Sequence, residues 1–504
     1  MKAFTEPLLS LAGFEEMTKT AEKSSGLISV TGCIDAQKSQ MIYAFGGHRK
    51  NKLIVTFGEQ KAKELYDEYS FFDKEVVYYP SKDVLFYQSD IRGNLLTAER
   101  IRALKAIREQ ERVTLVTTFD ALMNTMAPIE KMWENVLTLE QEQLLDLKEI
   151  QAALIRMGYE KEYQVQTMGQ FSVRGGILDV FPLTEENPIR IELWGDEIDT
   201  IRYFDCESQK SIENIEQVSI YPAAELVLSD EEKAGGIEKL KAEAKRVSDK
   251  LRKQMKTEEA HRVSEMADEL TEEWGELSMY AGMDAFLSYF FDERVGILDY
   301  FKPSDSLIFF DELTRCTEQG KLTETEFSES MKQRLAMGYI LPGQMNGLFT
   351  EKEIVAKLEK YSCIALGALD NKANGLHQLG SYGIHCQSVS PYNNSFELLI
   401  KDLKRYKKNG YRVILLSGSR TRAKRLSEDI TDQGITCFYT ENYDHELSQG
   451  QIMVCYGKVR RGFEYPILKF AVITESDIFG AQQKKKKRHR TYEGEKIQSF
   501  TDLS

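Results

Sequence analysis

Two kinds of apolar segment follow one another along this chain, and their order is the strongest constraint on its fold. Continuous apolar runs, typical of strands buried on both faces of a parallel sheet, occur at 53–57, 112–119, 306–313 and 412–417. From about 160 to 222, short strands with turn residues between them follow one another instead. This order predicts a multidomain α/β protein in which a β-rich domain is inserted into an α/β layer.

The stretch between 28 and 45, ISVTGCIDAQKSQMIYAF, resembles a nucleotide-binding loop. Gly32, Lys38 and Ser39 fall on three of the four fixed positions of G-x-x-x-x-G-K-[ST], with a strand predicted at 27–30 and a helix from near Lys38. The fourth position holds Gln37, whose side chain stands where glycine lets the backbone approach a phosphate, and Asp35 adds a negative charge. A chance turn therefore remains an alternative.

A second segment bears on that alternative. The apolar strand SLIFFDEL ends in Asp311 and Glu312, where P-loop ATPases place the acids that hold Mg²⁺ and polarise the attacking water. Together with the loop, these acids favour a degenerate RecA-like lobe with a vestigial nucleotide site formed by Gly32, Lys38, Ser39, Asp311 and Glu312. No arginine-finger motif accompanies it, so we expect no catalytic residues in this chain.

Composition narrows the class of protein. The formal net charge is −14, and the run 484–490 (KKKKRHR) holds six basic residues, so the rest of the chain is more acidic still. Such an acidic body argues against a protein that wraps DNA over most of its surface. Seven dispersed cysteines, six dispersed histidines, no long apolar run and no signal pattern predict a cytoplasmic protein without a membrane span or a metal site.

The predicted division of the chain follows these signals. It places the first part of the RecA-like lobe at 1–127, the inserted β-rich domain at 128–222 and the second part of the lobe at 223–345. LPGQMNG at 341–347 is interpreted as a linker to a second, smaller α/β domain at 350–480, and 481–504 as a flexible basic tail.

In the strand PIRIELWGD, two sets of side chains alternate. Ile189, Ile191 and Leu193 can face a core, which leaves Arg190, Glu192 and Trp194 on the open face. The alternative, with Trp194 in the core and the arginines solvated, stays open from the pattern alone.

Three longer segments carry a family resemblance. These are YYPSKDVLFYQSDIRGNLLTAERIRAL (78–104), FSVRGGILDVFPLTEENPIRIELWGDEIDTIRYFD (171–205) and RRGFEYPILKFAVITESDIFG (460–480). The chain is similar to the N-terminal portion of the bacterial transcription-repair coupling factors (Mfd), with a module resembling the excision-repair protein UvrB. The resemblance implies that Arg174, Arg190 and Trp194 bind UvrA.

The resemblance also implies what this chain lacks. RNA polymerase and double-stranded DNA would be bound by domains beyond residue 504, and ATP and Mg²⁺ would serve a motor there, so no cofactor is expected here. The implied role is to recruit repair to stalled RNA polymerase and, as a second role, to restrain that motor. A UvrB-type ATP-dependent helicase with its own ATPase site is the alternative.

Overall fold

A computed structural model describes residues 1–46, 49–82, 93–276, 282–370 and 375–480. The central part of the first resembling segment, 83–92, and the predicted basic tail at 481–504 lie outside the described residues.

Strands occur throughout these ranges. They are β1 (Gly26–Thr31), β2 (Asn51–Thr56), β3 (Val76–Tyr79), β4 (Val113–Thr118), β5 (Leu137–Glu140), β6 (Glu160–Lys161), β7 (Gln170–Arg174), β8 (Ile177–Val180), β9 (Ile189–Trp194), β10 (Glu197–Phe204), β11 (Ser211–Ile215), β12 (Gln217–Ile220), β13 (Ser306–Asp311), β14 (Ser362–Leu366), β15 (Gln378–Gly383), β16 (Gln387–Ser388), β17 (Arg412–Ser417), β18 (Phe438–Tyr439), β19 (Ile452–Tyr456), β20 (Phe463–Tyr465) and β21 (Phe470–Thr474).

Helices alternate with many of these strands. They are α1 (Lys2–Thr5), α2 (Phe14–Lys23), α3 (Asp35–Phe45), α4 (Glu59–Tyr69), α5 (Gly93–Glu109), α6 (Phe119–Met123), α7 (Ile129–Glu134), α8 (Leu147–Arg156), α9 (Asp230–Lys253), α10 (Thr257–Glu276), α11 (Leu287–Phe290), α12 (Leu313–Ala336), α13 (Glu351–Leu358), α14 (Phe396–Lys408), α15 (Arg420–Asp432) and α16 (Glu475–Phe479).

A seven-stranded parallel sheet forms the centre of the first compact unit, which comprises 1–386 and 443–446. Its order is β15-β1-β14-β13-β2-β4-β3, and every neighbouring pair is parallel. Three of the four continuous apolar runs form β2, β4 and β13 and are buried in this sheet, as their composition predicts. The parallel sheet, together with the β-rich sheet described below, confirms the predicted multidomain α/β fold class.

The boundary between the α/β units differs from the prediction. Strands β14 and β15, which we assigned to a second domain from 350, flank β1 in the first sheet, and the second unit begins at Gln387. Leu341, in the segment interpreted as a linker, is buried in the core around Trp274. The reason is that strand pairing is non-local, so an apolar run such as SCIAL carries no signal for which sheet it joins.

The β-rich domain is confirmed between the two parts of the first sheet. Six strands follow the order β11-β10-β9-β8-β7-β6, antiparallel except for β6 and β7. Its inner face packs a cluster that includes Phe171, Leu178, Ile191 and Leu154 of α8. A separate pair, β5 with β12, joins the beginning and end of the domain.

Two further parts complete the fold. Helices α9 and α10 follow the β-rich domain, and Ser229 and Glu232 form a capping box at the start of α9. The described part of the second unit, 387–442 and 447–480, has a mixed sheet in the order β16-β20-β21-β17-β19-β18. Among the described residues, no helix is long and apolar enough to cross a membrane.

Candidate functional site

The open face of the β-rich sheet carries polar side chains in cross-strand register. Asp179 of β8 lies opposite Arg190 of β9, which lies opposite Arg202 of β10. Ile189 and Ile191, which alternate with Arg190, are fully buried on the other face. The predicted division of β9 into a core side and an open side is therefore seen in the structure, with Leu193 only half-buried near the strand end.

Asp179 organises this face. Its carboxylate is about 1% exposed and accepts two hydrogen bonds from Arg190, Nε to Oδ1 at 2.7 Å and Nη2 to Oδ2 at 2.9 Å. Arg174 donates from Nη2 to the same Oδ2 at 2.8 Å. A buried carboxylate is stabilised only when paired in this way, so one acid fixes the positions of two arginines.

Arg190 has further contacts that hold its guanidinium flat against the sheet. Nη2 also donates to Gln209 Oε1 at 2.8 Å, and the guanidinium carbon lies 4.4 Å from the centre of the Phe204 ring. The hydrogen bond to Asp179 raises the pKa of Arg190. This arginine is therefore rigid and mostly covered, with one side turned to solvent.

A second ion pair continues the polar face towards the strand end. Arg202 donates from Nη1 to Glu192 Oε2 at 2.8 Å, and Thr200 Oγ1 donates to the same oxygen at 3.2 Å. The hydrogen bond from Arg202, followed by its charge, holds the pKa of Glu192 below its usual value. Two ion pairs, Asp179 with Arg190 and Glu192 with Arg202, thus link β8, β9 and β10.

Trp194 ends β9 with 86% of its surface exposed. The next residue, Gly195, has φ +67°, which favours glycine and turns the chain into β10. Glu197 lies opposite Trp194 and also bridges to Leu144, which is 75% exposed. Trp194 and Leu144 are thus exposed apolar residues on either side of Glu197, and the alternative with Trp194 in the core is wrong.

The structure places the three residues that the resemblance assigns to UvrA binding, Arg174, Arg190 and Trp194, in the same sheet. The Arg174 guanidinium already donates a hydrogen bond to Asp179 within the chain. Sequence reasoning missed Asp179 and Leu144. An acid between the buried residues Leu178 and Val180 was a signal for a buried ion pair, but its partner depends on strand register, which is non-local.

The loop after β1 is shorter than a phosphate-binding loop. Helix α3 begins at Asp35, three residues before the predicted start, so Lys38 lies within the helix. The N–H of Gly32 donates to the Ala368 carbonyl at 3.2 Å, and that of Cys33 to the Gly367 carbonyl at 3.0 Å. Two backbone donors of this loop are thus bound to backbone carbonyls and are not available to a phosphate.

Gly32 has a structural reason to be glycine. Its φ is +78°, and a Cβ at this position would collide with the carbonyl oxygen of Ile384. The segment after β15 therefore approaches Gly32 so closely that only glycine fits. This requirement accounts for Gly32 without any bound nucleotide. Gln37 is fully buried, and Ser39 Oγ lies 3.4 Å from Glu68 Oε2.

Lys38 and the acids after β13 do meet, as predicted from sequence. The ammonium, about 1% exposed, lies 2.5 Å from Asp311 Oδ1, 3.0 Å from Glu312 Oε1 and 3.2 Å from Asp35 Oδ1. Burial alone would lower the pKa of Lys38, but the charges of Asp311 and Glu312 outweigh burial and raise it. Thr56 Oγ1 also donates to Asp311 at 2.9 Å. Protein carboxylates thus surround the lysine expected to face phosphate.

Comparison with known proteins identifies the β-rich part of the chain. The family profile of the UvrB interaction domain matches residues 137–226. Residues 137–226 are therefore similar to the UvrB interaction domain, and we call this segment by that name below. The transcription-repair-coupling factor of Bacillus subtilis (strain 168) is 28% identical over 454 residues, which cover 89% of this chain and 38% of the relative.

Two further relatives extend the similarity. The factor of the same name from Staphylococcus haemolyticus is 27% identical over 95% of this chain and 40% of its own length. That of Staphylococcus aureus (strain MRSA252) is 27% identical over 97% and 41% respectively. The chain thus spans about two fifths of the relatives it matches, and the predicted resemblance to coupling factors is confirmed.

The UvrB interaction domain contains the whole open face. It begins at β5 and ends just after β12, so the pairing of these two strands closes the domain at its base. Arg174, Arg190 and Trp194 lie within it, whereas Lys38 and its carboxylates lie outside it. The site that faces solvent and the degenerate loop therefore belong to different parts of the first unit.

Proposed function

We propose that this chain is the repair-recruiting portion of a transcription-repair coupling factor. In this proposal its UvrB interaction domain binds UvrA and so links stalled RNA polymerase to nucleotide excision repair. The family match and the names of the relatives support the role in coupling. Contacts with RNA polymerase and double-stranded DNA, and the ATP- and Mg²⁺-dependent motor, would reside in parts of such factors outside this chain.

The exposed Trp194 beside fixed arginines is the observation that carries the UvrA proposal. Exposed large aromatic side chains next to arginine are typical of interface hot spots. Arg190 is held by Asp179 before any partner arrives, so little side-chain entropy is lost when it binds. Trp194 would supply apolar contact area, and Arg190 would supply orientation.

Arg174 would be the more accessible of the two arginines on this surface. Its side chain is 36% exposed, and its hydrogen bond to Asp179 engages Nη2. A guanidinium has five N–H donors, which leaves donors for a carboxylate of the partner. We therefore assign it a pairing role rather than an anchoring role.

We also infer that the degenerate loop does not turn over ATP. The early start of α3, the bound backbone donors and the carboxylates around Lys38 support this inference. The same observations weigh against the alternative of a UvrB-type helicase with its own ATPase site.

Co-elution with UvrA on size-exclusion chromatography tests the proposed role. We expect the wild-type chain to co-elute and the double variant Arg174→Glu/Trp194→Ala to elute alone. Tyr163→Ala is the matched control, because Tyr163 is an 83% exposed aromatic residue of the same domain. Co-elution of the double variant, with melting curves that match wild type, would place the interface elsewhere.

A further inference from the structure

Charge is distributed very unevenly between the two compact units. Residues 387–442 and 447–480 of the second unit contain 14 Lys or Arg and nine Asp or Glu. The whole chain has 66 basic and 80 acidic residues, so this unit is basic within an acidic protein. A basic unit of this kind favours polyanionic partners.

Two neighbouring strands of the second unit end at the same edge of its sheet. Strands β17 and β19 are parallel neighbours, so their carboxyl ends lie side by side. From β17 the chain passes β19 to reach β18, and from β19 it returns past β17 to β20 and β21. The segments that follow β17 and β19 therefore leave the sheet at one edge.

Exposed cations lie at this carboxyl edge in the first turn of α15 and in the loop after β19. A short loop joins β17 to α15, and the loop after β19 spans 457–462; the Gly457 N–H donates to the Ser417 carbonyl at 3.0 Å and connects the two segments. We call these exposed basic residues the basic edge, which comprises Arg420, Arg422, Lys458, Arg460 and Arg461.

The acids at this edge are turned inward. Glu475 accepts from Ser417 Oγ at 3.0 Å, from the Gly418 N–H at 2.6 Å and from Arg422 at 2.8 Å. Asp477 Oδ2 accepts from the Gly462 N–H at 2.7 Å and from both the N–H and the hydroxyl of Thr474. Arg420 pairs with the exposed Glu441, Nε to Oε2 at 3.2 Å.

We propose that the basic edge contacts the phosphodiester backbone of duplex DNA without reading its sequence. Its cations come from two separate segments, which fits a chain of phosphates better than one phosphate. Glu475 already occupies the Gly418 N–H and the Ser417 hydroxyl, so these two donors are not available to the phosphates of a nucleotide. The rings of Tyr456 and Tyr439 lie beneath Arg420 and Lys424, which disfavours base stacking and hence single strands.

Fluorescence anisotropy with a labelled random-sequence duplex tests this proposal independently of UvrA binding. In the full chain, Arg460→Glu/Arg461→Glu should raise the Kd at least tenfold and lower the slope of log K against log salt by about two, about one per lost phosphate contact. Lys404→Glu/Lys408→Glu is the control, because it makes the same charge change on exposed residues of α14. It should change the Kd less than threefold.

Each other outcome would overturn the proposal. These are no DNA binding by wild type, equal weakening by both double variants, or weakening by neither, since the last would place binding elsewhere, including the run 484–490. Competition by millimolar ATP or phosphate would indicate a nucleotide site, and competition by polyglutamate equal to that of DNA would indicate an acidic protein surface. Should Arg460→Glu/Arg461→Glu not fold, Arg420→Glu/Lys458→Glu on both segments is judged by the same criteria.

Discussion

The Lys38 ammonium pairs with carboxylates of the protein, whereas the lysine of a nucleotide site would face phosphate. Three carboxylates surround it, and Asp311 is as deeply buried as the lysine. Removing one partner of a buried ion pair leaves an uncompensated charge in the core. This costs more stability than removing both partners together. The cluster therefore acts as a structural link between α3 and the end of β13.

Substitution of Lys38 by methionine should reveal this link. We expect Lys38→Met to lower the free energy of unfolding by about 3 kcal/mol, because Asp311 loses its buried partner. Urea denaturation at neutral pH measures the change. The double variant Lys38→Met/Asp311→Asn should cost less than the sum of its single changes, and simple additivity would show that the two residues are not coupled.

Nucleotide chemistry is a separate prediction about the same residue. The chain should release no phosphate from ATP above background, with or without DNA, because the backbone donors of Gly32 and Cys33 are bound to carbonyls. A phosphate-release assay with Lys38→Ala as the control decides this. DNA-stimulated turnover in wild type that disappears in Lys38→Ala would contradict it.

At the scale of elements, β9 shows which structural features can be predicted from the sequence and which cannot. The two-residue period in IRIELW correctly predicted Ile189 and Ile191 inside and Arg190 and Trp194 outside, because side-chain direction in a strand is local. The period could not show that Asp179 lies opposite Arg190, since this depends on how β8 pairs with β9. The start of α3 was also missed, because helix boundaries depend on neighbouring segments.

Asp179 should stabilise the β8–β9 hairpin. Asp179→Asn keeps the shape of the side chain but removes the charge that pairs with Arg174 and Arg190, so we expect a loss of about 2 kcal/mol. Hydrogen exchange of the β8 and β9 amides should become faster. Asp196→Asn, an exposed acid in the next turn, should leave exchange unchanged. Equal exchange in both variants would remove Asp179 from its organising role.

At the scale of the whole molecule, the sequence predicted the kinds of layer but not their limits. An insertion of β-strands between two parts of a parallel sheet follows from the order of periodic segments. The boundary at 386 does not, because β14 and β15 complete a sheet whose first strand lies more than 300 residues earlier. Strand pairing across such a long stretch of sequence cannot be predicted from the residues of the strands themselves.

A buried ion network joins α5 to the end of the UvrB interaction domain. Arg100 donates to Glu225 from Nε at 2.6 Å and from Nη2 at 3.1 Å, and Lys82 lies 3.1 Å from the same carboxylate. Burial would raise the pKa of Glu225, but the charges of Arg100 and Lys82 outweigh it and lower the pKa to about 2. The contribution of this network to the stability of the protein therefore depends on pH.

The pH dependence follows from the sign of that shift. Below the ordinary pKa of 4.5 the unfolded chain takes up the proton first, so the contribution of Glu225 is complete above pH 4.5 and is lost towards pH 2. It amounts to about 3 kcal/mol. The gap in melting temperature between wild type and Glu225→Gln should narrow from pH 7 to pH 3. A constant gap would contradict this, and Glu231→Gln, on an exposed acid, is the control.

We propose that UvrA docks on the open face of residues 137–226, and titration calorimetry of single variants measures the contribution of each residue to this binding. Trp194→Ala should weaken UvrA binding about thirtyfold, or about 2 kcal/mol, whereas Tyr163→Ala should change it less than threefold. Both residues are largely exposed, so melting curves should match wild type. If both Trp194→Ala and Arg174→Ala bind UvrA with wild-type affinity, UvrA does not dock on this face.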